Sequence, residues 1–568
     1  MIFVKILNCG GTVMYKFSPF IRYSAGGQTF ESSSLENAHY AMDFEVSEGA
    51  VKCVLHPKTE LSVHEFYVST ERKLAKDEVF FSNGFQSWTT CYEFHAEDKM
   101  DSVVPLAKIS KLTSHMAMMS GDYKFVKYGG KGFFHSHTYT YFRKGEDMEL
   151  FGSMSERTGY TVFYLDAANN AFKITKDVEG LVVSEDYVLL DIARYCGTYD
   201  EVFDSYFGSM NLRKPKTAGL SGYTSWYNYF QKIDEKIILR DLNGLDRAKD
   251  ETSIFQIDDG YESFVGDWLY PDTDKFPNGM KPIAQAIHDK GYLAGIWIAP
   301  FSAQRTSLIT KVHPDWLIKD ENGKPMLGCA GWGGAYTIDF YIPEVREYIK
   351  NFFDVILHDW NFDMVKLDFL YSEAIMPRNG KTRGQIMCEA MDFLRECVGE
   401  DKLFLGCGVP LGPSFGVVDA CRISCDVDLR YAGKIYNYIK VNEEIPSAQN
   451  AINNSILRRH LNGRVFCNDP DVFFLRDNNL TFTYEQKLLL AKINNICGNI
   501  LFVSDNAGDY DADTTYLVKK FFKKTDVKIL SAEYVTPTDV HIRFTEDGKT
   551  KNLRFNIKTG KSNIKNIL

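Results

Sequence analysis

Lys366 and Asp368 stand two residues apart in the apolar run Phe362-Asp363-Met364-Val365-Lys366-Leu367-Asp368-Phe369-Leu370. Successive side chains of a strand point to opposite faces. A strand here therefore sets Lys366 and Asp368 on one face and Val365, Leu367 and Phe369 on the other. Buried charge is costly unless paired, so these two groups need a reason: a salt bridge stapling a core, or chemistry. Further acids punctuate similar runs. Asp258 and Asp259 end Ile254-Phe255-Gln256-Ile257, Asp426 follows Ala420-Cys421-Arg422-Ile423-Ser424-Cys425, Asp469 and Asp471 follow Arg464-Val465-Phe466-Cys467, and Asp505 follows Ile500-Leu501-Phe502-Val503. Gathered at one mouth, like charges repel unless a substrate, Lys366 or Arg422 separates them. Two carboxylates flanking one position are what glycoside hydrolysis requires. One attacks the anomeric carbon, and the other protonates the leaving oxygen and then activates water. Lys366 beside Asp368 would keep Asp368 ionised, as a nucleophile must be. Arg422, Ser424 and Asp426 share a face if their strand stays extended. Asp426 would then have to hold a proton, in a site that favours its neutral form. Asp258 and Asp259 are acceptors suited to sugar hydroxyls, and the rings of Trp297 and Tyr227 suit a pyranose face.

The elements that must position these groups follow from the hydrophobic pattern. Residues 1–212 read as all-β. Alternating runs such as Thr138-Tyr139-Thr140-Tyr141-Phe142 and Thr161-Val162-Phe163-Tyr164-Leu165 are separated by Gly, Asn and Asp turns, which predicts a large sandwich. Within it, Ser82-Asn83-Gly84-Phe85-Gln86-Ser87-Trp88 is a glycine-containing polar loop closed by Trp, unusual for a plain hairpin. Arg213-Lys214-Pro215-Lys216 reads as a linker. From there to residue 524, short apolar strands alternate with amphipathic helices, predicted at Pro282–Lys290, Pro343–Trp360, Arg383–Val398, Tyr484–Asn494 and Tyr510–Lys523. Counting Tyr223-Thr224-Ser225-Trp226, Leu293-Ala294-Gly295-Ile296-Trp297-Ile298 and Leu403-Phe404-Leu405-Gly406-Cys407 gives eight strands, hence a (β/α)8 TIM barrel. Residues 525–568 return to alternation and predict a small antiparallel β domain.

Composition narrows the function classes. The net charge of −10, without a basic run, argues against nucleic acid and anionic membrane as partners. Met1-Ile2-Phe3-Val4-Lys5-Ile6-Leu7 is too short and too soon charged for a signal-peptide core, and no apolar run is long enough to span a bilayer. The twelve cysteines lack a spaced framework, as expected of reduced thiols in a cytoplasmic protein. Cys421 and Cys425 have no second pair at zinc-finger spacing. The acidic loop Asp505–Asp511 has its glycine misplaced for a calcium loop and no Glu at the closing position, so helix capping is expected of it instead. No phosphate cradle, dinucleotide fingerprint or metal-binding helix motif occurs, so neither metal nor cofactor is expected.

The chain resembles glycoside hydrolase family 36 of clan D, the α-galactosidases, in their compact bacterial form. The resemblance rests on Ser225-Trp226-Tyr227-Asn228-Tyr229-Phe230, Phe255-Gln256-Ile257-Asp258-Asp259-Gly260-Tyr261, Gly266-Asp267-Trp268, Lys275-Phe276-Pro277 and Gly295-Ile296-Trp297-Ile298-Ala299-Pro300-Phe301. It continues through Lys366-Leu367-Asp368-Phe369, Gly406-Cys407-Gly408, Val418-Asp419-Ala420-Cys421-Arg422-Ile423 with Asp426, and Asn468-Asp469-Pro470-Asp471. The Gly84-Phe85-Gln86-Ser87-Trp88 loop resembles one in the family's N-terminal domain. The resemblance implies a β-supersandwich, a barrel and a C-terminal β domain, and a retaining hydrolase of terminal α-galactosides such as raffinose-type sugars. It implies Asp368 as nucleophile and Asp426 as acid/base. Trp88, Tyr227, Asp258, Asp259, Trp297, Lys366, Cys407, Gly408 and Arg422 would form the galactose pocket. Asp258 and Asp259 would select the axial hydroxyl, because an unpaired buried acceptor penalises the epimer. An α-N-acetylgalactosaminidase or a transglycosylase could use the same site. The family often has Gly-Pro before the acid/base and Trp a few residues later, where this chain has Ser424-Cys425 and Arg430-Tyr431. Both departures lie on the leaving-group side.

Overall fold

A computed structural model describes residues 15–101, 126–432 and 445–568. The reading of residues 1–7 lies outside them. The N-terminal part is two antiparallel sheets of seven strands each, running from Ser18–Ala25 to Tyr187–Gly197. Burial alternates along them with period two, except that a bulge at His64 shifts the phase of Leu61–Glu71. In Leu61–Glu71, Leu61, Val63, Phe66 and Val68 face the core while His64 and Glu71 are exposed. The core between the sheets is aromatic, with Phe142, Phe151 and Phe172 in mutual contact at centroid distances of 5.2 to 6.2 Å.

The helix Tyr199–Ser209 and the Arg213–Lys216 link lead into the barrel. That link is pinned. Asp419 accepts from Arg213 Nη1 at 2.9 Å and from the Lys216 amide at 2.9 Å. The barrel strands are Leu220–Thr224, Ile254–Ile257, Leu293–Ile298, Met364–Leu367, Leu403–Gly406, Ala420–Arg422, a split seventh, and Ile500–Val503, all parallel. The seventh strand is interrupted. Cys467–Asp469 pairs with the sixth strand and Val472–Phe473 with the eighth, so the sheet closes through Pro470 and Asp471. Pro470 has no N–H for a ladder, and Asp471 has a left-handed φ of +75°.

Several strands lie or end elsewhere than the sequence placed them: the first of the barrel is Leu220–Thr224, with Trp226 opening a helix, and the fourth ends at Leu367. Ala420–Cys425 was expected to run extended, yet the strand ends at Arg422. The Ile423 carbonyl is taken by Arg458 Nη1 at 2.9 Å, and Ser424 turns its hydroxyl to the Pro470 carbonyl at 3.1 Å. Arg464–Cys467 was expected as strand, but the strand begins at Cys467, because Arg464 and Val465 close a turn onto the Leu461 carbonyl. The helices follow their amphipathic patterns, and Arg383–Val398 starts on a Thr382–Gln385 capping box. Asp511 caps the last barrel helix, Ala512–Phe522, through the Thr514 amide. A three-stranded antiparallel sheet, Val527–Tyr534, Asp539–Glu546 and Lys549–Asn556, completes the chain.

Ten described cysteines are free thiols. Cys196 is disulfide-bonded, against the expectation of reduced thiols throughout. Among the described residues no helix is long and apolar enough to cross a membrane.

Candidate active site

Asp368 follows the fourth strand directly, and its N–H still bonds the Ile298 carbonyl of the third strand at 2.9 Å. Phe369 then takes a left-handed φ of +54°, a conformation costing a non-glycine residue about 1–2 kcal/mol. The turn brings the Phe369 N–H back onto Asp368 Oδ1 at 2.9 Å, while Trp297 Nε1 donates to Oδ2 at 3.0 Å. Each oxygen of this buried carboxylate therefore has a neutral donor, and its orientation is fixed.

Lys366 makes its direct ion pair with Asp258 and acts on Asp368 through space. Its ammonium lies 2.9 Å from Asp258 Oδ2, with the two side chains 11% and 3% exposed. Burial alone would lower the Lys366 pKa, but Asp258, and after it Asp368, outweigh burial and hold it above the ordinary value. Asp258 also accepts from Gln256 Nε2 at 2.9 Å and Thr224 Oγ1 at 3.3 Å. Asp259 has no cation. It accepts from Gln231 Nε2 at 3.1 and 3.2 Å and from Trp332 Nε1 at 2.8 Å. Burial pushes Asp259 up, and these hydrogen bonds oppose it.

On the opposite side, Arg422 is fully buried and its Nη2 is shared three ways. Asp426 Oδ1 lies at 2.7 Å, Asp471 Oδ2 at 2.8 Å and the Tyr227 hydroxyl at 3.2 Å. Asp426 was expected in a setting that favours a neutral acid. Instead it is 43% exposed and ion-paired. Asp471 also accepts from the Tyr227 hydroxyl and from the Val427 N–H at 2.8 Å. Burial pushes Asp471 up to about 7, with Arg422 opposing and Asp426 reinforcing the rise. Ser424 is turned away from this cluster because the strand ends before it. Asp505 is diverted too. It braces the Leu475 and Arg476 amides and accepts from the Tyr510 hydroxyl at 2.9 Å.

Two rings proposed for stacking are used otherwise. Trp297 packs between Trp268 and Trp332 at centroid distances of 5.7 and 5.9 Å, and its N–H is on Asp368. Tyr227 is buried with its phenol on Asp471. Trp88 crosses from the sandwich, donates to Cys407 Sγ at 3.3 Å and packs edge-on against Phe369 at 5.2 Å. Gly408, with φ +55°, lies beneath that indole, and a Cβ there would come within 2.9 Å of it. The loop carrying Trp88 is clamped from the barrel. Buried Arg458 donates to the Ser87 carbonyl at 2.7 Å and the Gln86 carbonyl at 3.1 Å, and Asn454 Nδ2 to the Thr89 carbonyl at 3.0 Å. The structure thus brings Trp88, Tyr227, Asp258, Asp259, Trp297, Lys366, Asp368, Cys407, Gly408, Arg422 and Asp426 to one mouth.

Sequence reasoning missed Gln231, Trp332 and Arg458, and read Asp471 only as a strand-end acid. Trp332 had a signal, since a Trp inside Gly331-Trp332-Gly333-Gly334 has no period to belong to a core. Its left-handed φ of +56° is the structural counterpart.

A closed barrel with carboxylates beyond its fourth and sixth strands has the layout of a glycoside hydrolase. Residues 237–389 match the Melibiase family model. An α-galactosidase from Escherichia coli is 32% identical over 123 residues, which are 20% of this chain and 16% of that protein. The chain therefore spans under a fifth of that relative's length. TtGalA, the Thermus thermophilus α-galactosidase in complex with p-nitrophenyl α-D-galactopyranoside, superposes with a TM-score of 0.69 at 23% identity, covering 90% of this chain and 98% of that one. The family 36 α-galactosidase AgaA of Geobacillus stearothermophilus gives 0.58 at 11% identity, covering 96% and 80%. The chain carries a Melibiase segment within the fold of the family 36 α-galactosidases, as its motifs led one to expect.

Proposed function

We propose that this chain is a retaining, exo-acting glycoside hydrolase that releases terminal α-linked galactose from small α-galactosides. The observation that carries the reading is the Asp368 carboxylate. It is buried at the end of a barrel strand, fixed by two neutral donors, and faces a mouth that also holds Asp426. Asp368 attacks the anomeric carbon and the glycosidic C–O bond breaks as Asp426 gives its proton to the leaving oxygen. Asp426 then takes a proton from water, whose oxygen displaces Asp368 and frees galactose. Arg422 Nη2, shared by Asp426, Asp471 and Tyr227, is the group for which an entering sugar oxygen competes, which frees Asp426 to carry its proton. Asp258 and Asp259 accept from the sugar's hydroxyls, and a sugar that fails to reach them leaves a buried acceptor unpaired. The close packing of Trp88, Cys407 and Gly408 suits a hydroxyl at that corner better than an acetamide.

The test is hydrolysis of paired aryl glycosides, α-galactoside against α-N-acetylgalactosaminide, with Asp368→Ala as the blank. Cleavage of the galactoside alone, lost in Asp368→Ala with the fold intact, is expected. Preference for the acetamido sugar overturns the reading of the Cys407 corner. Substantial turnover by Asp368→Ala overturns the nucleophile.

A further inference from the structure

Trp332 occupies a place that suits a glycine. It is the second residue of the tip Gly331-Trp332-Gly333-Gly334, on the small sheet Ser302–Gln304, Leu327–Cys329 and Ala335–Thr337 that follows the third barrel strand. Trp332, Gly333 and Gly334 take consecutive left-handed φ values of +56°, +74° and +106°. Glycine adopts such a conformation freely, and a bulky side chain adopts it at a cost. The tip is braced. The Gly334 N–H bonds the Gly331 carbonyl at 2.8 Å, and the Arg305 N–H bonds the Gly334 carbonyl at 3.1 Å. The Tyr371 hydroxyl, from just beyond Asp368, donates to the Gly328 carbonyl at 2.6 Å. The reason for a strained tryptophan on a braced tip lies in what its side chain touches.

Those contacts join two carboxylates of the mouth. Trp332 Nε1 donates to Asp259 Oδ2 at 2.8 Å. Its ring packs on Trp297 at 5.9 Å and edge-on against Phe369 at 5.0 Å. These two residues supply the donors of Asp368, Trp297 through Nε1 at 3.0 Å and Phe369 through its N–H at 2.9 Å. Asp259 depends on neutral donors. Lys366 lies on Asp258, and Asp259 forms no ion pair among the described residues. Its other side-chain donor above, Gln231 Nε2, spans both oxygens at 3.1 and 3.2 Å. Gln231 follows Phe230, a second left-handed aromatic residue at φ +50°, and Lys275 Nζ pins its carbonyl at 3.0 Å. Oδ2 thus takes two of these donors and Oδ1 one, which leaves Oδ1 the more open to a hydroxyl.

Resting on the α-galactoside hydrolase reading, we propose that Trp332 is a positioning residue that fixes the sugar-reading Asp259 in register with the nucleophile Asp368. The indole N–H orients Asp259, and the ring backs the two residues that orient Asp368. In agreement, burial pushes Asp259 up, and Trp332 and Gln231 are among the donors that oppose it. The substrate's hydroxyl and its anomeric carbon are thereby held by carboxylates at the ends of the second and fourth strands, with one side chain setting the spacing. The two parts of the role separate, because phenylalanine keeps a ring without the N–H.

The experiment is kcat and KM for p-nitrophenyl α-galactoside, with calorimetric binding of D-galactose and D-glucose, for wild type, Trp332→Phe and Trp332→Ala. Thermal unfolding checks that each variant is folded, and the Phe variant decides alone should the Ala variant fail to fold. Trp332→Phe is expected to raise KM and the galactose Kd about tenfold or more, with kcat within about twofold of wild type. Its preference for galactose over glucose falls in step, since the lost donor served the acceptor that reads the sugar. Trp332→Ala, which removes the ring too, also lowers kcat about tenfold or more. A Trp332→Phe variant with wild-type KM, Kd and preference overturns the proposal. So does a Trp332→Phe loss confined to kcat, or equal for galactose and glucose, which a merely structural ring would give. A folded Trp332→Ala variant with wild-type kcat overturns the ring's share of the role. A wild type that binds galactose but cleaves no α-galactoside overturns the hydrolase reading, and the binding comparison still decides the part of Trp332 at Asp259. A wild type that binds no galactose overturns both.

Discussion

The ion pair between Lys366 and Asp258 offers the sharpest test of how this pocket is held. At 2.9 Å and an effective dielectric of about 20, two unit charges attract by about 6 kcal/mol, before desolvation is subtracted. Breaking such a buried pair from one side costs about 3–5 kcal/mol, because the remaining charge is stranded. Lys366→Met keeps the apolar stem and strands Asp258, which then relies on the neutral donors Gln256, Thr224 and the Asp259 N–H. The expected loss is about 3–5 kcal/mol. Asp258→Asn strands Lys366 beside Asp368, a milder loss of about 1–3 kcal/mol. The double variant should cost about as much as Asp258→Asn alone, a coupling of about 2 kcal/mol or more. Urea unfolding followed by tryptophan fluorescence reads these differences, compared within the transition that the barrel contributes, since a chain of several cores need not unfold in one step. Single losses that add to within about 0.5 kcal/mol would refute the pairing. The same cycle with Asp368→Ala gives the converse. Asp368 is held by Trp297 and Phe369, so its coupling to Lys366 should be the smaller. A larger coupling there would restore Lys366 to the role first read from the sequence.

Asp426→Ala should spare aryl galactosides with good leaving groups while abolishing turnover of raffinose-type sugars, and equal loss on both would argue against the acid role. Gly408→Ala places a Cβ 2.9 Å from the Trp88 ring at a φ of +55°. It should cost about 1–3 kcal/mol of stability and raise KM, read by thermal unfolding and by aryl-galactoside kinetics. His460 is buried between the Tyr139 and Tyr199 hydroxyls, each at 2.7 Å, and stacks on Phe203 at 3.8 Å. Burial, with Arg459 and other arginines nearby, holds its pKa well below 6.5. Its folded pKa is depressed, so its contribution is fully present above 6.5 and is lost as the unfolded chain takes up a proton on acidification. By pH 5 that loss is at most about 2 kcal/mol, the limit set by the unfolded ring alone. Unfolding free energies for wild type and His460→Gln should therefore converge on acidification from pH 7, and parallel curves would exclude His460 as a source of acid lability.

What the sequence made legible was period and punctuation. Strands such as Leu293–Ile298 and helices such as Arg383–Val398 announce themselves by pattern, because burial on one face leaves its period in the chain. Strand-end acids announce the mouth, because nothing in a core needs them. The pairing between those acids was not legible. Lys366 and Asp368 share a face at spacing two, so sequence coupled them, but the barrel sets Lys366 across from Asp258, 108 residues away. The expected extension of the sixth strand to Ser424 and Asp426 failed for a similar reason. Its end is set by Arg458, which arrives from later in the chain and takes the Ile423 carbonyl that a strand would need, while Pro470 takes the Ser424 hydroxyl. Local pattern fixes which residues reach the mouth, while the protonation and pairing of each acid depend on partners from other strands, and any substitution argument at this site has to start from those partners.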